Sequence, residues 1–244
     1  MTKVLVISDV HANAIALEAV LKDAGEVDET WCLGDVAGYG PQPNECIDRI
    51  RQLPNLICIM GNHDYAAIGN MALETFNADA RKALLWQRKL FSEESKSFLS
   101  SLPDELVVHG EVSLAHGSPR DPIWEYVMNT LVARINLASF DTPWCFVGHS
   151  HFQAVFQYHA KSDDMSIVVP RPSEVYDLKE RAILNPGSVG QPRDRDPRAA
   201  YAIFSPDTHT WEPRRVEYDI AAVQKMILDA GLPPRHAERL AGGW

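Results

Sequence analysis

Five short motifs in this chain carry side chains suited to holding metal ions: Asp9-Val-His11, Gly34-Asp35, Gly61-Asn-His-Asp64, His116-Gly117 and Gly148-His-Ser-His151. They offer carboxylate, amide and imidazole donors and no thiolate. In an extended chain, residues two apart point to the same side, so Asp9 with His11, and His149 with His151, are each expected to face one ion. The whole donor set, Asp9, His11, Asp35, Asn62, His116, His149 and His151, exceeds what a single tetrahedral ion takes. Such a set suits two ions sharing one carboxylate. Asp35 is the natural bridge, because it has two oxygens and Gly34 gives it room. Nitrogen and oxygen donors without sulfur favour Mn, Fe, Co, Ni or Zn over Mg or Ca. Two such ions about 3.5–4 Å apart would clamp a phosphoryl group and lower the pKa of a bridging water toward neutrality.

The elements that must position these residues follow a βαβαβ rhythm. Lys3–Ser8 is a β-branched run expected as a buried strand, and Asn13–Ala24 has helical apolar spacing. Glu29–Leu33 is a second strand ending at Gly34-Asp35, and Asn44 is placed as the cap of a helix over Glu45–Leu53. Leu56–Met60 is a third strand, ending at the Gly61 motif. Ligands of open α/β sheets bind beyond the carboxyl ends of strands, so Asp9, Asp35 and Asn62 are expected at one rim. The segment 66–102 reads as a helical insert, clearest over Ala80–Phe91 and Glu93–Leu102. Beyond Pro103, Leu106–His109 and Val112–His116 form an expected hairpin, then come a helix over Thr130–Leu137 and a strand over Pro143–Val147 that ends at Gly148. Phe152–Tyr158, Ser166–Val169, Arg181–Leu184, Ala199–Phe204 and Trp211–Tyr218 are further strands, and Ile220–Leu240 is helix broken near Gly231. Two sheets packed face to face with helices outside accommodate this count, and residues 1–244 are taken as a single domain.

Composition narrows the class. Charged residues make up 23% and hydrophobic residues 45%, as in ordinary globular proteins. A formal net charge of −10 argues against long nucleic acids and anionic membranes as partners. It does not exclude a small anionic substrate, because bound cations reverse the field locally. Cys32, Cys46, Cys58 and Cys145 form no C-x-x-C pair, and Cys32, Cys58 and Cys145 sit in apolar runs, so buried free thiols are expected. No apolar run is long enough to span a bilayer and no signal core is evident, so a cytoplasmic setting is expected.

Taken in order, D-x-H, G-D, G-N-H-D, H-G and G-H-x-H resemble the calcineurin-like metallophosphoesterase superfamily. The later run Asn185-Pro-Gly-Ser-Val-Gly-Gln-Pro-Arg193 resembles its small bacterial and archaeal phosphodiesterase branch. The resemblance implies a four-layer αββα sandwich of two mixed β-sheets flanked by helices. It also implies a pair of divalent transition-metal ions, manganese foremost, with Fe, Zn, Ni or Co as alternatives. One ion would be held by Asp9, His11, Asp35 and His151, the other by Asp35, Asn62, His116 and His149. His63 matches the family's active-site histidine, which is not a ligand and serves the leaving oxygen or binds phosphate. The implied reaction is in-line attack on phosphorus by a metal-bridging hydroxide, giving a phosphodiesterase or phosphatase for a small phosphoester, a nucleotide among the candidates. In the Ser/Thr protein phosphatase branch the G-D motif continues to a second Asp and an Arg. Here Gly38 and Tyr39 stand in those places, so the partner orienting His63 and the phosphate-gripping Arg are absent there.

Substrate contacts are assigned from position. Asn13 heads a helix beside the first motif, where it can touch phosphate or cap the helix. Tyr39 can stack on a base or pack on its loop, and Ser118, Arg120 and Trp124 can wall the cleft or form a plain surface loop. Arg193, Arg195 and Arg198 alternate with Asp194 and Asp196, which favours local salt bridges, yet Arg193 can replace the missing arginine. His109, His159, His209 and His236 lack the motif context and read as surface or packing residues. A non-catalytic metal-binding scaffold of the same fold and a metal-dependent nuclease are the alternatives. The sequence leaves the oligomeric state open.

Overall fold

The computed structural model describes residues 1–244. Two six-stranded mixed sheets pack face to face. The first contains β1 (Val4–Ile7), β2 (Glu29–Cys32), β3 (Leu56–Cys58), β9 (Tyr176–Asp177), β11 (Ala199–Ser205) and β12 (Thr210–Val216), ordered β3-β2-β1-β11-β12-β9. The second contains β4 (Val107–His109), β5 (Val112–Leu114), β6 (Trp144–Phe146), β7 (Ala154–His159), β8 (Asp164–Val168) and β10 (Ala182–Asn185), ordered β4-β5-β6-β10-β7-β8. β1, β2 and β3 run parallel, as do β5, β6 and β10. The expected αββα sandwich is what the chain forms.

Strand alternation explains the layering. Leu5 and Ile7 face outward onto α1 (Ala14–Ala24) and α2 (Pro43–Ile50), packing with Leu17, Val20, Ile47 and Ile50. Val4 and Val6 face inward, with Trp31 and Leu33, onto Leu114, Phe146, Leu184 and Trp211. Both faces of β1 are therefore buried, which is why its sequence is an unbroken apolar run. The second sheet is covered on its outer side by α6 (Thr130–Asn136), through Ala133 packed with Phe156 and Met165.

The segment after β3 contains α3 (Asn62–Ala67), a 3-10 turn at Leu73–Thr75, α4 (Ala78–Gln87) and α5 (Glu93–Ser100). It buries Leu73, Leu84, Phe91 and Leu99 against the same core as α1. α7 (Ile220–Asp229) and α8 (Pro234–Gly242) close the chain as a helical pair. No helix is long and apolar enough to cross a membrane.

Two local expectations are corrected, and one strand is added. Asn44 lies inside α2, which starts at Pro43 after Gln42; its side chain instead donates to Leu90 O and accepts from Ser92 N, tying α2 to the start of α5. Proline at the first helical position needs no N–H partner, so the helix begins there. The Gly61 motif is also the first turn of a helix and not only a strand end. β9, two residues long at the sheet edge, was too short to show a period.

Candidate metal centre

All five motifs emerge from carboxyl ends of parallel strands, three from one sheet and two from the other, so they meet at one rim between the sheets. Backbone bonds lace the loops together: Asp9 N donates to Gly34 O at 3.0 Å, His11 N to Asp35 O at 2.9 Å and Gly148 N to His116 O at 2.8 Å. The loops are not extended at their donors. Asp9, His11, Asp35, His149 and His151 all have left-handed backbone, with φ between 47° and 63°. Tight turns, not the strand period expected, aim these donors: Asp9 and His11 share one grouping, whereas His149 and His151, expected to face one ion, part to different groupings, His151 toward Asp9 and His11 and His149 toward Asp35 and His116. Left-handed backbone in residues other than glycine costs about 1–2 kcal/mol each, strain that the surrounding packing holds in place.

The donors converge. His11 Nε2 lies 3.1 Å from His151 Nε2, and His151 Nε2 lies 3.3 Å from Asp9 Oδ1. On the other side His116 Nε2 lies 3.2 Å from His149 Nδ1 and 3.1 Å from Asn62 Oδ1. Asp35 Oδ2 stands between, 3.6 Å from His11 Nε2 and 3.4 Å from His116 Nε2. The second nitrogen of each ring faces a backbone carbonyl: His11 Nδ1 to Ala37 O, His151 Nδ1 to Gln191 O, His116 Nδ1 to Leu33 O and His149 Nε2 to Trp124 O. A nitrogen facing a carbonyl carries the hydrogen, so the inner nitrogens of His11, His149 and His151 turn lone pairs into the centre, while His116 Nε2 faces Asp35 Oδ2. Each carboxylate likewise spends one oxygen on a backbone N–H: Asp9 Oδ2 accepts from His149 N, and Asp35 Oδ1 from His63 N. Asp9 Oδ1 and Asp35 Oδ2 are buried with no hydrogen-bond donor. Lone pairs gathered so closely in a buried space repel unless a cation lies among them, so the residues fit a metal centre. Three groupings have spacing that can hold an ion: Asp9, His11 and His151; Asp35, His116 and His149; and His11, Asp35 and His63.

Burial holds the His11, His149 and His151 rings well below the ordinary range, keeping them in the neutral form that ligates. Burial opposes charge on His116 too, but the Asp35 carboxylate outweighs it and lifts the ring to about 9. Asp35 pays the same burial penalty, and the histidines around it still hold it well below the carboxylate range. Burial pushes Asp9 up to about 7 and His63 down to about 4.

The other assigned residues separate. Asn13 accepts from Ala16 N and donates to Gly190 O, both at 3.1 Å, so its polar atoms cap α1 and fasten the Gly190 loop. Tyr39 is buried among His11, His63 and His236, and has no free face for a base. Arg193 does not pair with its aspartate neighbours. Asp194 is taken by Arg215 in a buried ion pair and Asp196 by Arg198. Arg193 instead lies over the Tyr39 ring at 5.6 Å, donates to Gln191 Oε1 and Tyr39 Oη, and leaves its Nε unpartnered. Gly38 abuts His63: a Cβ there would collide with Nδ1, an atom that has no partner. Ser118 and Arg120 both bind Glu125. Sequence reasoning gave no role to Asp64, whose carboxylate accepts from Val36, Ala37 and Gly61 N and so locks the Asp35 loop to the Asn62 loop. Its position three residues into the helix is the spacing of an N-terminal cap, a signal present in the motif. Tyr126, stacked on His149 at 3.8 Å, had no such signal.

Residues 2–209 match the calcineurin-like phosphoesterase superfamily domain. The chain belongs to that family. A metallophosphoesterase from Sphaerobacter thermophilus is 48% identical, covers 100% of this chain and 99% of its own, and superposes with a TM-score of 0.91. An uncharacterized protein of Methanocaldococcus jannaschii is 38% identical over 97% of this chain and 96% of its own. A hypothetical protein from Pyrococcus horikoshii, 20% identical with 100% and 99% coverage and a TM-score of 0.79, shares the fold. This metallophosphoesterase is a hydrolase of phosphoester bonds, with Asp and His clusters able to bind metal.

Proposed function

We propose that this phosphoesterase hydrolyses a small phosphoester at a two-ion centre. Asp9, His11, Asp35 and His151 hold one ion and Asp35, Asn62, His116 and His149 the other. The observation that carries this is the placement of Asp35 Oδ2 between two histidine sets whose inner nitrogens converge. Mixed imidazole and carboxylate donors suit Mn, with Fe, Zn, Ni or Co as alternatives. When bound, the ions neutralise phosphoryl oxygens and acidify a water nucleophile. The chain's own groups do the rest. His63, whose backbone N–H is fixed by Asp35 Oδ1, serves the leaving oxygen. Arg193, with a free Nε and a guanidinium braced on Tyr39, grips the phosphoryl group in place of the arginine missing at position 39.

Residues 1–244 act as one domain, the segment 66–102 being a helical insert that shares the core of α1. Four buried cysteines without a disulfide suit a cytoplasmic setting. A net charge of −10 weighs against long nucleic acids. The test is elemental analysis of the purified protein, then a panel of bis(p-nitrophenyl) phosphate, p-nitrophenyl phosphate, dinucleoside polyphosphates, cyclic nucleotides and nucleic acids with added Mn²⁺. Two equivalents of metal and cleavage of the small esters are expected. Protein that takes up no metal, or that cleaves only polymers, would refute the proposal.

A further inference from the structure

If His63 serves the leaving oxygen, the organic part of the leaving group meets whatever lies past His63. What lies there is aromatic. Phe76, just beyond the 3-10 turn, sets its ring edge-to-face on His63, with centroids 4.9 Å apart at 70°. Trp124 meets Phe76 at 5.8 Å and 66°. The two arrive from different segments, Phe76 from the helical run after β3 and Trp124 from the loop after His116. Both are anchored. Phe76 packs partly against the large core, and the Trp124 carbonyl accepts from His149 Nε2. The nearby carboxylate of Glu125 is engaged by Ser118, Arg120 and Asn136, so its charge is paired. Trp124 nonetheless keeps 36% of its surface exposed, an indole that the fold does not bury.

We propose that Phe76 and Trp124 form the leaving-group subsite, and that it takes a planar ring system carried on the leaving alcohol, as in a nucleoside. This rests on the assignment of His63 above. Stacking on an aromatic side chain tolerates many ring systems, so the subsite selects for planarity and not for one base.

The test uses the Mn²⁺-loaded protein with adenosine 5'-monophosphate and ribose 5-phosphate, and with the methyl diester of each. Each pair releases the same primary alcohol with and without a base, so intrinsic reactivity cancels. KM for the nucleoside member is expected to be lower by about ten-fold, the size of one stacking contact. Trp124→Ala and Phe76→Leu should erase that difference, the nucleoside member losing about ten-fold more in KM than the ribose member. Calorimetry with the non-cleavable methylenephosphonate analogues should give the same ratio without turnover. Equal KM for both members in the wild type, or equal losses on both in the variants, overturns the subsite. Cleavage of bis(p-nitrophenyl) phosphate but of neither pair overturns it while leaving the hydrolase reading intact. If no ester is cleaved, the role of His63 falls, and the subsite falls with it unless calorimetry still shows the adenosine preference.

Discussion

Histidines and carboxylates gather at both ends of the sandwich, and they are put to different use. At the rim opposite the candidate centre, His109 lies 3.6 Å from Glu29 and His209 lies 3.1 Å from Glu111. Their rings rest on Trp31 and Trp144, and both histidine side chains are 48% exposed. Each histidine meets one carboxylate and is otherwise open to solvent. At the other rim the histidines are buried, their outer nitrogens are bound to carbonyls, and their inner nitrogens converge on Asp9 and Asp35. Left-handed backbone also occurs at His209, where a hairpin demands it, but at the candidate centre it recurs through three loops. Residue type therefore does not mark a site. Convergence, burial and strained loops do, because together they create a demand for positive charge that solvent cannot meet.

That contrast can be broken by experiment. Asp35→Ala removes the shared oxygen and should abolish binding of at least one ion, with activity falling by more than about 10³-fold; metal content and kcat/KM check it, and full metal content would end the bridging assignment. His63→Ala should lower kcat by about 10²–10⁴-fold with metal content unchanged. Loss of an ion in that variant would instead make His63 a ligand, as its grouping with His11 and Asp35 allows. Arg193→Ala should raise KM by about ten-fold or more, the scale of a lost charge-assisted contact, and leave metal content alone; steady-state kinetics that match wild type would remove Arg193 from the substrate site.

The protonation state sharpens the comparison further. His116, lifted to about 9, and Asp9, raised to about 7, both carry protons near neutral pH that a cation must displace. Uptake should release about one to two protons at pH 7, and affinity should rise with pH from about 6 to 9. Calorimetry in buffers of different ionisation enthalpy measures this, and proton-free, pH-independent binding would contradict it. At the far rim His109→Ala and His209→Ala should change stability by about 0.5 kcal/mol or less. Denaturant midpoints and metal content equal to wild type are expected for both.

Much of this was legible along the chain. The apolar run of β1, ending at Asp9, and that of β6, ending at Gly148, show where strands stop and donors begin, since strand period and turn chemistry are local. Less legible was anything set by a distant partner. Arg193 reads as one of several alternating charges, yet Arg215 takes Asp194 and frees Arg193 to face Tyr39. Asn13 looked equally suited to phosphate, but Gly190, far along the chain, claims its amide.

The amino-acid sequence by itself determined the donor atoms, their absence of sulfur and their place at strand ends, because these depend on residue type and on periods of a few residues. Only the tertiary structure decided that His11 meets His151 and that Asp35 stands between the two halves. It also decided that Phe76 meets His63 and that Trp124 meets Phe76. Those neighbours come from segments far apart in the chain, and they meet because the inward apolar faces of two sheets pack at a fixed separation and register.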